Sequence, residues 1–276
     1  MHPLRFSSAL LALTLAGLAA PMARARPSVT SAHVQGLLED LRQGPQSRRD
    51  RAAQRLYHLQ HPRGNAGVIA LASDPNPLTR AVGVWALSVV RPPSADRVVL
   101  QRLHDPHPAV CRAATQAAGV LKLSRAARKL RALLRHEDRF VQLAAVRALA
   151  ALGTKGIPGL KSALLAGTLE QRLLAVRALD ELPGRQSRTL LRRAARSGPI
   201  QVRLSSAQAL DRRGDPAGTH VLGRLALRAA DKGIRLQAIN MLADSEQSTR
   251  RQLLRRLLKD KDPQIRRAAA DGLASP

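Results

Sequence analysis

One pattern of small and apolar residues returns about every 31 residues along this chain, and that period limits the available folds more than any other feature. The clearest copies are VQLAAVRALAALG from Val141, QRLLAVRALDELP from Gln171, VRLSSAQALDRRG from Val202, IRLQAINMLADS from Ile234 and IRRAAADGLASP from Ile265. Weaker ones begin at Arg48, Thr79 and Val110. Aligned on the penultimate apolar position they give Leu56, Leu87, Ala118, Leu149, Leu179, Leu210, Leu242 and Leu273, at intervals of 31, 31, 31, 30, 31, 32 and 31. Within a copy the apolar residues fall on one side of a helix, as Val202, Ser206, Ala209 and Leu210 do.

A second amphipathic segment precedes each of these helices. Examples are Ser124 to Arg135, Ser187 to Arg196, Ala217 to Ala230 and Ser245 to Lys259. Asp74-Pro75, Asp105-Pro106 and Asp262-Pro263 mark the junction, since Asp caps free amides and Pro is accepted at a helix start. Each unit is therefore a hairpin of an A helix and a B helix. A lone hairpin cannot enclose its own apolar face, so neighbours must stack. The expected fold is all-α: an α-α superhelix, or solenoid, of about eight hairpins in one domain over 26–276. Its units end near residues 60, 91, 122, 153, 183, 214, 245 and 276. Composition agrees. Apolar residues make up 45 %, but Phe6, Tyr57, Trp85 and Phe140 are the only aromatics, so the core must be built from Ala and Leu.

The repeat resembles HEAT-like repeats of the short, phycobilisome-lyase type. The shared signature, D-P-x-x-x-V-R-x-A-A-x-x-A-L-G, is clearest in Asp105 to Gly119 and Asp262 to Leu273, and the likeness covers roughly residues 29–276. It implies the solenoid fold strongly and a function weakly, because such repeats occur in scaffolds, lyases, hydroxylases and DNA glycosylases.

Ahead of the repeats, Met1 to Ala25 reads as a signal peptide. Arg5 gives a positive start, Ala9 to Ala20 an apolar run of twelve, and Ala23-Arg24-Ala25 a small-residue cleavage site before Arg26. A bilayer-spanning helix needs about 20 apolar residues, so the run is too short to be an anchor. The expected location is periplasmic or secreted.

Charge is the second outlier. Lys and Arg number 46 against 19 acids, a net +27, and all but seven of the cations are Arg. Such a chain attracts polyanions, although coding bias toward Ala, Arg, Gly and Pro would also raise the Arg count. The second position of the B helix reads Arg49, Arg80, Cys111, Gln142, Arg172, Arg203, Arg235 and Arg266. In the proteins this chain resembles, an Asp at the junction and an Arg six residues later form a ladder between repeats; Asp74 with Arg80 and Asp260 with Arg266 have that spacing. Two residues before the aligned leucine stand Gln54, Trp85, Gln116, Arg147, Arg177, Gln208, Asn240 and Asp271, a nearly all-polar row expected on a concave face. Arg147, Arg172, Arg177 and Arg203, with Trp85 as an anchor, form the expected partner-binding patch. The A-helix runs around Arg128, Arg192 and Arg255 read as a solvated convex face.

No catalytic constellation is recognised. The histidines are scattered, the loop pair His104 and His136 reads as solvated caps, and Cys111 reads as a packed small residue. No phosphate loop or zinc spacing is present, and no cofactor or metal is expected. The function expected is that of an exported, non-enzymatic scaffold holding a protein or an anionic envelope partner through Arg. Nucleic-acid binding of a DNA-glycosylase-like kind, or a lyase activity, are the alternatives. N-terminal sequencing of the chain recovered from the exported fraction should begin at Arg26; an intact Met1 in the cytosol would overturn the export reading.

Overall fold

The computed structural model describes residues 30–245 and 248–274; residues 1–25, read above as a signal peptide, lie outside them. Eight helical hairpins follow one another. They are α1 (Ser31–Gln43) with α2 (Gln46–Leu59), α3 (Pro62–Leu71) with α4 (Pro77–Val90), α5 (Ala95–Arg102) with α6 (Pro108–Val120), and α7 (Ala127–Leu133) with α8 (Arg139–Ala151). Then come α9 (Ile157–Ala166) with α10 (Leu169–Glu181), α11 (Arg185–Ser197) with α12 (Ile200–Arg212), α13 (Pro216–Arg228) with α14 (Lys232–Ala243), and α15 (Arg250–Leu257) with α16 (Pro263–Ala274). The chain is an all-α solenoid, with no strand among the described residues. The expected A helix over Ser124 to Arg135 is shorter than its periodicity suggests: a 3-10 turn at Ser124–Ala126 leads into α7.

The repeat register translates directly into burial. Leu56, Leu87, Ala118, Leu149, Leu179, Leu210 and Leu242 are all buried, and Leu273, with no hairpin beyond it, is half-buried. Each fully buried Leu contributes about 1.5–3 kcal/mol of transfer free energy, and one continuous core runs from Val34 to Ala269. Small residues set the spacing. At Gly83 a Cβ would lie 2.2 Å from the Ala72 nitrogen, so α4 rests almost directly on the end of α3.

The even-numbered helices pack on one another along most of the stack, whereas the odd-numbered ones touch lightly or not at all. The closer-spaced row lies on the inside of the curve, so the B helices line the concave face. One break interrupts that row. Helices α12 and α14 barely approach each other, and α13 packs closely against both.

Five of the B helices also share a terminator. Four residues after the aligned leucine or alanine the backbone turns left-handed, at Gln60 (φ 47°), Arg91 (φ 54°), Lys122 (φ 52°), Gly153 (φ 61°) and Gly214 (φ 68°). Non-glycine residues pay a steric cost there. Lys122→Gly should therefore raise stability, and Gly153→Ala should lower it, each by about 1 kcal/mol; no atom lies within 4 Å of a Cβ at Gly153, so the cost there is conformational alone. Urea unfolding measures both.

Candidate functional site

Between each A and B helix the chain must satisfy carbonyls of the last turn of the A helix and of the junction that follows it. The donor comes from the row expected at the second position, which the structure places at the fourth residue of each B helix. Arg49 donates to Arg42 O at 3.5 Å, Arg80 to Asp74 O at 2.7 Å, Gln142 to His136 O at 2.6 Å, Arg172 to Gly167 O at 2.8 Å, Arg235 to Ala226 O at 2.8 Å and Arg266 to Asp260 O at 2.8 Å. Even the Cys111 thiol fills the role, donating to Leu103 O at 3.3 Å. Arg203 is the exception, because its buried Nε has no hydrogen-bond partner.

A carboxylate ladder is built on these donors, with a register different from the expected one. Arg80 does not grip the side chain of Asp74, six residues before it. Its Nε and Nη2 meet Asp105 of the following hairpin at 2.8 and 3.1 Å. Arg235 pairs likewise with Asp260, which leaves Arg266 bonded to the Asp260 backbone. The acid also turns the chain into its helix. Asp105 accepts from the His107 amide at 3.1 Å and Asp260 from the Asp262 amide at 3.0 Å, two residues on. At Asp74 and Asp105 the helix cap is thus not the Asp of the Asp-Pro pair but Asn76 and His107, with Pro77 and Pro108 opening the helices. A separate anchor joins Arg192 to Asp215 at 2.8 and 3.1 Å.

Burial pushes the Asp105 carboxyl up, but the hydrogen bonds from Arg80 and the His107 amide, with the charges of Arg80 and Arg102, outweigh it and hold the group below the usual carboxylate range. Asp215 is held low against burial by Arg192 in the same way, and Asp260 is held low first of all by its hydrogen bond from Arg235. Reciprocally, the Asp105 bond raises Arg80 further. The pair is worth distinguishing from surface pairs: the Arg80 and Asp105 side chains are 14 % and 2 % exposed, whereas Arg177 and Glu181, 3.8 Å apart, are 82 % and 73 % exposed. An exposed pair of that kind contributes about 0–1 kcal/mol.

The expected patch divides. Arg147 and Arg177 stand exposed at the same register on the adjacent helices α8 and α10, on the concave face. Trp85 shares that register on α4, half-buried against the core. Arg172 and Arg203 are half-buried at the other end of their helices, in the junction row, so the structure does not bring them beside Arg147 and Arg177 as one surface. A cationic site that sequence reasoning passed over lies on the outside. Between α7 and α9 a groove of about 430 Å³ is lined by Arg128, Arg131 and Arg135 together with Ala132, Ser162 and Gln171. No acid lines it, and none of the three guanidinium groups pairs with an acid among the described residues. The basic run from Arg125 to Arg135 was the visible signal; that a neighbouring helix leaves a trough beside it was not.

Cys111 is buried, and burial raises its thiol above the ordinary value. His61, His107 and His136 each accept a backbone amide through Nδ1, at 3.2, 3.3 and 3.0 Å. Among the described residues no three His, Cys, Asp or Glu side chains converge as metal ligands, and no helix is long and apolar enough to cross a membrane.

A stacked array of short helical hairpins with this junction chemistry defines a class, the HEAT-like α-solenoids. The family model for HEAT repeats matches residues 34–119 and again 97–179, more than half of the chain, and the protein belongs to that family. Among solved structures the chain is similar to the Escherichia coli protein YibA, at 18 % identity and a TM-score of 0.57, over 88 % of this chain and 92 % of that one. It is also similar to the CpcE–CpcF complex of phycocyanin lyase from Nostoc, at 21 % identity and a TM-score of 0.44, over 91 % and 97 %. Human deoxyhypusine hydroxylase follows at 18 % and a TM-score of 0.37, over 88 % and 95 %. These likenesses concern the fold. No curated protein matches the sequence.

The depressed acids set a pH dependence. Their ionised forms are favoured by folding, so the stability they add is complete above the unfolded Asp value of about 3.9 and disappears as the pH falls through the lower folded values. Thermal melts should therefore fall off below about pH 4. Asp105→Asn should cost about 3 kcal/mol at pH 7, by leaving Arg80 without its carboxylate, and should flatten the acid limb of the curve. An acid limb identical to that of the unsubstituted protein would remove Asp105 from this role.

Proposed function

We propose that the protein is an exported, non-enzymatic scaffold that holds an anionic partner on an arginine-rich helical surface. The observation carrying this reading is the α7–α9 groove, where Arg128, Arg131 and Arg135 face solvent with no carboxylate among the lining residues. Elsewhere the cations are often spent inside the fold, as Arg80 is on Asp105 and Arg192 on Asp215. A guanidinium left unpaired in a trough is disposed to receive carboxylate or phosphate through two parallel N–H bonds, which Lys does less well. The partner supported best is a protein with an acidic segment, since four aromatics in the whole chain supply little for stacking unpaired bases. Arg147 and Arg177 extend the cationic surface to the concave side, with Trp85 further along the same row. Membership of a repeat family whose members have diverse roles supports a binding surface without specifying the ligand.

A fluorescent poly-glutamate chain serves as the probe. Its affinity should fall steeply as salt is raised from about 0.05 to 0.5 M, because exposed charges are screened beyond roughly 8 Å at physiological ionic strength. Replacing Arg128, Arg131 and Arg135 together with Gln should weaken binding at least tenfold without lowering the melting temperature, whereas Arg147→Gln with Arg177→Gln should have the smaller effect. Affinity unchanged by the triple substitution would move the site off the groove.

A further inference from the structure

The ladder contains a missing rung. In three hairpins an acid stands two residues before the helix cap, Asp74 before Asn76, Asp105 before His107 and Asp260 before Asp262, whereas the fourth, fifth and sixth hairpins have His136, Ala166 and Ser197 there. In the seventh hairpin the cap is Asp231, and the residue two before it is Ala229. The arginine that would reach that position from the sixth hairpin is Arg203, as Arg80 reaches Asp105 and Arg235 reaches Asp260. Its Nε is shut off from water and has no acceptor. Arg49 also leaves its Nε unbonded, but there Asp74 occupies the acid position and lies 3.6 Å from Arg42.

At Arg203 the acid is replaced by space. A cavity of about 460 Å³ opens where α12 and α14 stand apart, lined by Arg203, Arg224, Arg228, Asp231, Ile200 and Ile234 among others. Arg224 and Arg228 pair with no acid among the described residues. Asp231 is the single acid in the lining, and its Oδ1 already accepts the Ile234 amide at 2.8 Å. The lining is therefore net positive at its rim and aliphatic on its walls. A buried donor without an acceptor is costly, and a ligand recovers that cost by offering one as the guanidinium turns to meet it. The volume lies within the usual range of small-ligand sites, about 300–1,000 Å³.

We propose that this cavity is a carboxylate-binding site, in which a ligand carboxylate on a short aliphatic arm takes the place of the absent acid and closes the Arg203 rung. Arg203 receives the carboxylate side-on in the manner of Arg80, Arg224 and Arg228 hold the remaining charge, and Ile200 and Ile234 cover the arm. A free short-chain acid and the C-terminus of a peptide ending in an aliphatic residue carry the same chemistry. The site is separate from the α7–α9 groove and does not depend on the function proposed for it.

The test supplies the rung from inside. Ala229→Asp places an acid at the vacant position, and Arg203→Gln removes the receiver. Binding of hexanoate, of the peptide acetyl-Ala-Ala-Leu with a free carboxylate, and of the same peptide as its amide is measured by calorimetry on the full chain. Hexanoate or the free peptide should bind the unsubstituted protein and bind at least tenfold more weakly to both variants, with no binding of the amide; which of the two binds identifies the source. Ala229→Asp should in addition raise the melting temperature. Should Arg203→Gln fail to fold, Ala229→Asp carries the test, because it adds a contact. Failure of both carboxylates to bind, equal binding of the amide, or affinity unchanged by Ala229→Asp overturns the proposal.

Discussion

The fold depends on how each hairpin disposes of the backbone carbonyls at the end of its A helix and in the junction that follows. They face the junction, where an unpaired acceptor is costly, and in seven of the eight hairpins a single side chain near the start of the B helix answers one of them. That side chain is Arg in most hairpins, Gln142 in the fourth and Cys111 in the third. The donor fixes the B helix against the A helix of its own unit. Where a carboxylate follows in the next unit, as at Asp105 and Asp260, the same guanidinium also fixes the next unit against this one. Apolar burial makes stacking favourable; the junction gives it a direction.

The two demands draw on the same residue type, which explains the uneven use of charge. Arginines at the junction are spent on carbonyls and buried acids and add little to any external field. Some on the odd-numbered helices are spent likewise, as Arg192 is on Asp215 and Arg102 on Ala72 O, but Arg128, Arg131 and Arg135 on α7 pair with no acid among the described residues. Net charge is therefore a poor guide to where a partner sits. The distribution between paired and unpaired guanidinium groups is a better one, and it favours the outside of the curve at α7 and α9 over the concave row, where Arg177 already leans toward Glu181.

Much of the architecture was legible in the sequence because the period in leucine positions is a direct image of the core. Leu149, Leu179 and Leu210 are buried because the pattern repeats, and no long-range information was needed to see it. The ladder register was not legible in the same way. Asp74 and Arg80 lie six residues apart in the chain, yet the arginine meets the backbone of that unit and the carboxylate of the next, 25 residues on. Sequence spacing marks both acids and cannot say which arginine turns toward which. The trough beside Arg128 and the space beside Arg203 depend on how far neighbouring helices stand apart, a quantity set by side chains in other hairpins.

The gap between α12 and α14 has a mechanical consequence. In an array held by nearest-neighbour terms, cooperativity is only as strong as the weakest interface. With the inner row interrupted there, α13 carries most of the packing between a long N-terminal block and a short C-terminal one among the described residues. The superhelix is thus jointed rather than uniformly springy: its pitch changes most cheaply at that seam, where a bound molecule acting as a wedge would alter the curvature of the whole arc.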